Sequence, residues 1–330
     1  MNTIRPSYKF LELLLSSALL ATASLAQNVI SAHPGTVNYV EGQISVEGRQ
    51  VTLKSVGQTT LQAGQYLATA NGKAEVLLTP GVFLRLGSDT TIKMVAPDLT
   101  HTEIQLDHGR ATIEVDQIYK QNRILVDQQG GQTQLLQNGL YEFDAANSTV
   151  RVFEGKAAVY PGNDLNASIK PITVKGEHQL ALTGAAGPMK PVKFDRTAAQ
   201  TGDSLYAWSD LRSNYLGQEN LTLANQYAGG YGYGYGFTPG WYGAPGLYGY
   251  TWLPGDGLFW SPFGYGFYSP FYLYGGGIIY GGGGWYGGHP IGRPIPHPGG
   301  GGAVAPAHTS APSAPSGGAA AAHSGGGGHR

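Results

Sequence analysis

Between Val37 and Tyr160 apolar and polar residues alternate in short runs, and Gly, Asn or Asp separates most neighbouring runs. The runs are Val37–Val40, Gln43–Val46, Ala74–Leu78, Val82–Leu86, Thr91–Val95, Glu103–Leu106, Ala111–Val115, Arg123–Val126, Leu140–Phe143, Thr149–Phe153 and Ala157–Tyr160. Turn signals stand between them at Glu41-Gly42, Asn71-Gly72, Pro80-Gly81, Asn138-Gly139 and Glu154-Gly155. Alternation with period two, rich in β-branched residues, is the pattern of strands with one buried face. It predicts an all-β body over residues 35–160, long enough to bury a core of its own. A sandwich, a jelly roll or a short β-solenoid would all satisfy this spacing.

Asp89, Asp98, Asp107 and Asp116 fall at a nine-residue interval. A calcium-binding β-roll built on that interval needs Gly-rich GGxGxD turns to supply its oxygen ligands, and the sequence has none. The aspartates are therefore expected to end strands of similar length, where their side chains favour turns. Residues 161–202 read as a β extension and linker. Asp203 is placed to N-cap one short amphipathic helix over 203–226. On that helix Leu205, Trp208, Leu211, Tyr215 and Leu216 form a stripe expected to dock on the β body, with Arg212, Asn214 and Glu219 facing away.

Composition changes sharply after residue 226. Residues 227–330 hold 33 of the 52 Gly, 12 of the 20 Pro and 13 of the 21 Tyr, with only Asp256, Arg293 and Arg330 as charges. This predicts a low-complexity Gly/Tyr/Trp-rich segment over 227–298 and a disordered Gly/Ala/Pro/His tail over 299–330. Aromatic rings on a flexible Gly-rich chain offer faces for stacking on sugars or on one another. Trp241, Tyr242, Trp252, Trp260 and Tyr265 are the candidates for contact with a glycan or another partner. Self-association through the tail is the related expectation.

The N-terminus carries Arg5 and Lys9, an apolar run from Leu11 to Ala23, and Ser24-Leu25-Ala26-Gln27. That is the layout of a signal peptide over residues 1–26, cleaved between Ala26 and Gln27. The run is shorter than the roughly 20 residues that cross a bilayer, and no later stretch reads as a transmembrane span. The expected location is periplasmic, on the outer surface or extracellular.

The formal net charge is -1 and there is no Cys. Nucleic acid is not an expected partner, and thiol nucleophiles, disulfides and thiolate metal sites are excluded. Nucleophile elbows, H-E-x-x-H, phosphate loops and dinucleotide fingerprints do not occur. His101 and His108 flank a predicted strand together with Glu103 and Asp107, and on alternate faces of a strand the four could not all converge. His289, His297, His308, His323 and His329 are irregularly spaced without carboxylates. No catalytic, cofactor-binding or metal-binding residues are therefore assigned, and no enzyme activity is expected. Asn147, Asn166 and Asn220 each begin an N-x-[ST] sequon, which matters only in a host that glycosylates.

Several spaced pieces resemble the FecR domain. They are Leu61-Gln62-Ala63-Gly64-Gln65-Tyr66-Leu67-Ala68-Thr69, then Gly72-Lys73-Ala74-Glu75-Val76-Leu77-Leu78, then Pro80–Gly87. Leu106–Val115, Gly139–Phe143 and Val150–Val159 are similar to the later strands of that family. Gly64, Gly72, Gly81, Gly109, Gly139 and Gly155 would mark its turns. The resemblance implies a β-rich periplasmic domain without catalytic residues. The best-known members join such a domain to a cytoplasmic anti-sigma segment through one membrane helix and receive a signal from an outer-membrane transporter. Here a signal peptide takes the place of that segment and helix. The helix and the aromatic block after it resemble segments found C-terminal to the domain in exported members. The expectation is a non-catalytic envelope protein that binds a protein or glycan or serves as a scaffold. The alternative is a periplasmic signalling component acting in trans on a sigma/anti-sigma system.

Overall fold

The computed structural model describes residues 32–162, 170–182, 189–229, 237–243 and 249–274. In chain order the elements are β1 (Val37–Val46), β2 (Arg49–Val51), β3 (Tyr66–Thr79), β4 (Val82–Leu86), β5 (Thr90–Pro97), β6 (His101–His108), β7 (Arg110–Val115), β8 (Arg123–Gln128), β9 (Gly131–Leu135), β10 (Gly139–Asp144), β11 (Thr149–Glu154) and β12 (Lys156–Pro161). They continue with β13 (Ile172–Lys175), β14 (His178–Ala181), β15 (Val192–Lys193), α1 (Arg196–Gln200), α2 (Ser204–Gly229), β16 (Gly240–Gly243), β17 (Tyr250–Leu253), β18 (Leu258–Trp260), β19 (Gly266–Tyr268) and α3 (Pro270–Tyr274).

The first fifteen strands form one curled sheet in the order β13-β12-β9-β8-β6-β5-β3-β4-β7-β10-β11-β14-β15, with β1 branching from β3 and β2 pairing with β1. Its neighbours are antiparallel apart from the parallel pair β6 and β8. The inward alternates of every long strand meet in a single apolar core that includes Val76, Leu84, Ile113, Val126, Phe143, Val152 and Val159. The fold is therefore mostly β, as the alternation predicts, and all the predicted runs lie inside strands.

Two predicted turns are strand interior instead. Gly42 and Gly72 are direct partners within the continuous β1–β3 pair, beside a register shift between Gly42 and Ile44. A Cβ on Gly42 would collide with the Asn71 carbonyl, and one on Gly72 with the Glu41 carbonyl. The two glycines thus allow two backbones to approach closely rather than reverse. Gly64, Gly81, Gly109 and Gly155 do lie between strands at positive φ, and Gly139 opens β10.

The sheet curls until its two halves touch. β11 and β12 are joined at Gly155 yet lie in different halves, and Gly176 N–H donates to the Gly155 carbonyl at 3.0 Å. Tyr141 fastens this corner. Its hydroxyl donates to the Gln137 carbonyl at 2.5 Å and accepts from Lys156 N–H at 3.1 Å.

The outward side of β3, β4, β7 and β10 is also buried, because α2 and two aromatic hairpins lie on it. The helix begins at a cap in which Asp203 Oδ1 accepts from the N–H groups of Leu205 and Tyr206 at 2.9 and 3.1 Å. It runs for 26 residues, from Ser204 to Gly229. β16 pairs with β17 and β18 with β19. Trp241, Trp252 and Phe267 from these hairpins pack with Leu77 and Phe83 of the sheet and Leu216 of the helix. Part of the expected low-complexity segment is therefore a folded layer. The expected leader over 1–26 with its expected Ala26–Gln27 cleavage point, Asn166 and the expected tail over 299–330 lie outside the described residues.

Candidate functional site

The outward face beneath α2 carries a polar ladder. Direct cross-strand neighbours run Glu75 (β3), Arg85 (β4), Thr112 (β7), Glu142 (β10), Arg151 (β11) and Gln179 (β14). Opposite charges placed directly across a sheet attract, and here each contact is a hydrogen bond as well. Arg85 Nε donates to Glu75 Oε2 at 2.7 Å, and Arg85 Nη1 donates to Glu114 Oε2. Arg151 donates to Glu142 at 2.7 Å and to Gln179 at 3.1 Å.

The helix answers this ladder with polar side chains. Ser209, Arg212, Ser213, Gly217 and Asn220 lie on its buried face together with Leu205, Trp208 and Leu216. Arg212 Nη2 donates to Glu75 Oε1 at 2.8 Å, Ser213 donates to Glu114 at 2.7 Å, and the Ser209 and Thr112 hydroxyls are 2.9 Å apart. Asn38 donates from Nδ2 to Glu75 at 2.8 Å and accepts at Oδ1 from Tyr250 N–H at 2.6 Å, tying the first hairpin to the same cluster. The Arg212 guanidinium stacks 4.1 Å from the Tyr39 ring centroid.

The expected orientation of the helix is thereby corrected. Arg212 faces the sheet, while Leu211 and Tyr215 are exposed. An unpaired carboxylate and guanidinium in the sheet would each pay heavily for lost water. A polar helix face supplies their partners, so it is the face that docks. Lower on the helix Arg110 pairs with Asp203 and lies 3.0 Å from Glu142 Oε2. Trp208 Nε1 donates to Glu41 at 2.8 Å.

These surroundings move the carboxyl groups in different directions. Burial by itself would raise the Glu75 pKa, but the charges and hydrogen bonds of Arg212 and Arg85 outweigh it and hold the group at about 2. For Glu142 burial wins over Arg110 and Arg151, and the pKa is raised. Asp116 follows β7 on the same face as Glu114. It is fully buried, neither carboxyl oxygen has a hydrogen-bond donor, and burial beside the Glu114 carboxylate raises its pKa well above the usual value.

A second polar group sits on the far arm of the sheet. His101 Nε2 is 3.0 Å from Glu103, which also accepts from Gln132 at 3.1 Å. Burial, reinforced by Glu103, pushes Asp127 up to about 6. Next to it an open cleft of about 680 Å³ is lined by His33, Thr60, Pro97, Asp98, Leu99 and His101, among others. His108 pairs with Asp89 at 3.1 Å, so the two histidines have separate acidic partners. Among the described residues no three metal-ligating side chains converge.

The five aromatic residues proposed for stacking divide. Trp241, Tyr242 and Trp252 are buried, and their rings pack against Phe83, Phe237, Phe259 and Phe267. They have no face left for a sugar. Trp260 is 56% exposed, and Tyr265 is half-buried with its hydroxyl donating to Asp210 at 2.8 Å. Asn220 is fully buried, bonded to the Trp252 and Tyr268 carbonyls at 2.8 and 3.1 Å, so its sequon is closed to modification. Among the described residues no helix is long and apolar enough to cross a membrane.

Comparison with known proteins finds a match within this sheet. Residues 65–158 match the family described as FecR protein. Two crystal structures of a proposed anti-sigma factor from Parabacteroides distasonis ATCC 8503, at 2.50 and 1.65 Å resolution, are similar to the chain at 17% identity and a TM-score of 0.33 each. They cover 41% and 42% of this chain, and the chain spans 63% and 65% of theirs. No curated protein matches. The part of the curled sheet from β3 to β12 is the matched region, and the chain carries a FecR domain there.

Proposed function

We propose that this chain is an exported, non-catalytic component of a bacterial envelope whose FecR domain works by binding a protein partner. The observation that carries the reading is how the outer surface of that domain is divided. The side of β3, β4, β7 and β10 is occupied by α2 and the hairpins. The side of β5 and β6 bears solvent-facing Lys93, Gln105 and Asp107 with the cleft beside His101. A polar, half-exposed sheet face beside a concave rim suits a protein contact better than an apolar small molecule. The match to FecR protein also favours a second, compatible reading, in which the bound partner belongs to a signalling system and this chain acts on it in trans. Trp260 is the ring that suits an additional glycan contact, and self-association through residues beyond 274 belongs to the same proposal.

The test is fractionation of the native host carrying a C-terminally tagged copy, with protease shaving of intact cells. It is combined with a photo-crosslinking residue at position 105. A tag outside the cytoplasm and a crosslink to a single protein that is lost with Lys93→Glu support the reading. A cytosolic tag with residues 1–26 retained would overturn export. A correctly exported chain that yields no protein crosslink from the β5–β6 face would overturn the binding assignment.

A further inference from the structure

The buried face under α2 holds one carboxyl group too many. Glu75, Glu114 and Asp116 are all fully buried there, against the two guanidinium groups of Arg85 and Arg212. Both arginines are committed. Arg85 bonds Glu75 and Glu114, and Arg212 bonds Glu75. Glu114 also accepts from Ser213 of the helix. The groups that face Asp116 are the Glu114 carboxylate on its own strand and, more distantly, Arg85 of β4. Tyr265, from the loop between β18 and β19, also feels the Glu114 charge.

Two ionised carboxylates only accept hydrogen bonds, so neither can satisfy the other. One proton changes this, because a neutral Asp116 becomes a donor to Glu114 and brings the cluster to electrical balance. A like-charged pair sealed from water holds such a proton in preference to ionising twice. The cover over the pair is the C-terminal layer. Asp116 N–H donates to the Gly81 carbonyl at 2.8 Å. The Trp252 ring stands 3.3 Å from the position a Gly81 Cβ would take. Trp241 packs edge-on against Phe83, the direct cross-strand neighbour of Glu114.

We propose that the layer made by α2 and the two hairpins is a proton-coupled latch on the FecR domain, with Asp116 protonated while the layer is seated and ionised when it lifts. In the lifted state Asp116 meets water and returns to the ordinary carboxylate range. Between that range and its seated value the closed form holds one more proton than the open form. Rising pH then favours opening by about tenfold per pH unit for one proton. In a compartment that follows the outside medium, acid tightens the layer and alkali loosens it.

The experiment is amide hydrogen exchange on the full mature chain from pH 5 to pH 8, corrected for intrinsic exchange, with Asp116→Asn as the comparison. In the wild type the protection of residues 216–224 and 250–253 should fall with pH, approaching tenfold per unit. In Asp116→Asn that slope should be lost from the same segments. Equal slopes in the two proteins, or a change confined to residues 117–122, would overturn the latch. A direct reading that needs no variant is the carboxyl carbon-13 resonance of Asp116 in the wild-type chain. An acid-form shift at pH 6 supports the proposal, and a carboxylate shift throughout overturns it.

Discussion

Arg212 in α2 donates to Glu75 in β3 at 2.8 Å, and both side chains are closed to solvent. This pair joins the helix to the FecR domain through charge where an apolar stripe would ordinarily serve. Arg212→Met removes one guanidinium from a cluster that already carries an extra carboxyl. A buried charge stripped of a partner typically costs about 3 to 5 kcal/mol. Glu75 keeps Arg85 and Asn38, so we expect the lower part of that range. Adding Glu75→Gln should return part of the loss, and a double-mutant cycle by urea denaturation measures the coupling. Additive losses would show that the pair contributes nothing specific.

The corner at Gly155 is the second test. Its φ is +100°, and a Cβ there would collide with the Tyr141 hydroxyl and lie 2.7 Å from the Asn138 carbonyl. Gly155→Ala should cost roughly 2 to 4 kcal/mol through strain and the displaced tyrosine. Tyr141→Phe removes the hydroxyl alone and should cost about 1 to 2 kcal/mol. In the double variant the two effects should be less than additive, because the clash loses its hydroxyl.

The tryptophans of the hairpins should behave oppositely to one another. Trp252 is among the largest fully buried side chains, while Trp260 is 56% exposed. Trp252→Ala should cost about 3 to 5 kcal/mol and remove much of the near-ultraviolet circular dichroism of the layer. Trp260→Ala should stay within about 0.5 kcal/mol of the wild type. A similar loss in both would mean that Trp260 is buried in solution.

The strands of the domain were legible because the apolar alternates Val76, Leu84, Ile113 and Val152 recur at period two. β9 was missed because Gly131-Gln132-Thr133-Gln134-Leu135 has too few apolar residues to reveal its buried side. The docking face of α2 was misread for a related reason. Leu205, Trp208, Arg212, Leu216, Asn220 and Leu223 keep helical spacing, but Arg212 and Asn220 look solvent-facing until Glu75 and the Trp252 carbonyl are known to lie opposite. Hydropathy records how apolar a face is and not what it faces. The Gly- and Tyr-rich composition likewise concealed two hairpins, since alternating Gly and aromatic residues read as flexible chain until Leu77 and Phe83 offer a buried surface. Of the polar cluster, Glu75, Arg85 and Glu114 stood in predicted strands, but only the pairing order β3-β4-β7 makes them neighbours.

The acid limb of stability tests the ladder itself. Glu75 sits at about 2 in the folded protein against about 4.3 for a free glutamate. A lowered carboxyl pKa contributes stability that is fully present above the unfolded value and is lost as pH falls through the folded one. Glu75 should therefore contribute nothing to the pH dependence above about pH 5. Its contribution should decline from there towards pH 2, by an amount on the order of 3 kcal/mol. Asp116 has the opposite sign, since its raised pKa makes acid favourable to the seated layer. Urea midpoints from pH 2 to pH 7 should thus fall more steeply below pH 4 in the wild type than in Glu75→Gln, which lacks the titrating group. The same steepness in the two proteins would mean that other carboxylates control acid unfolding.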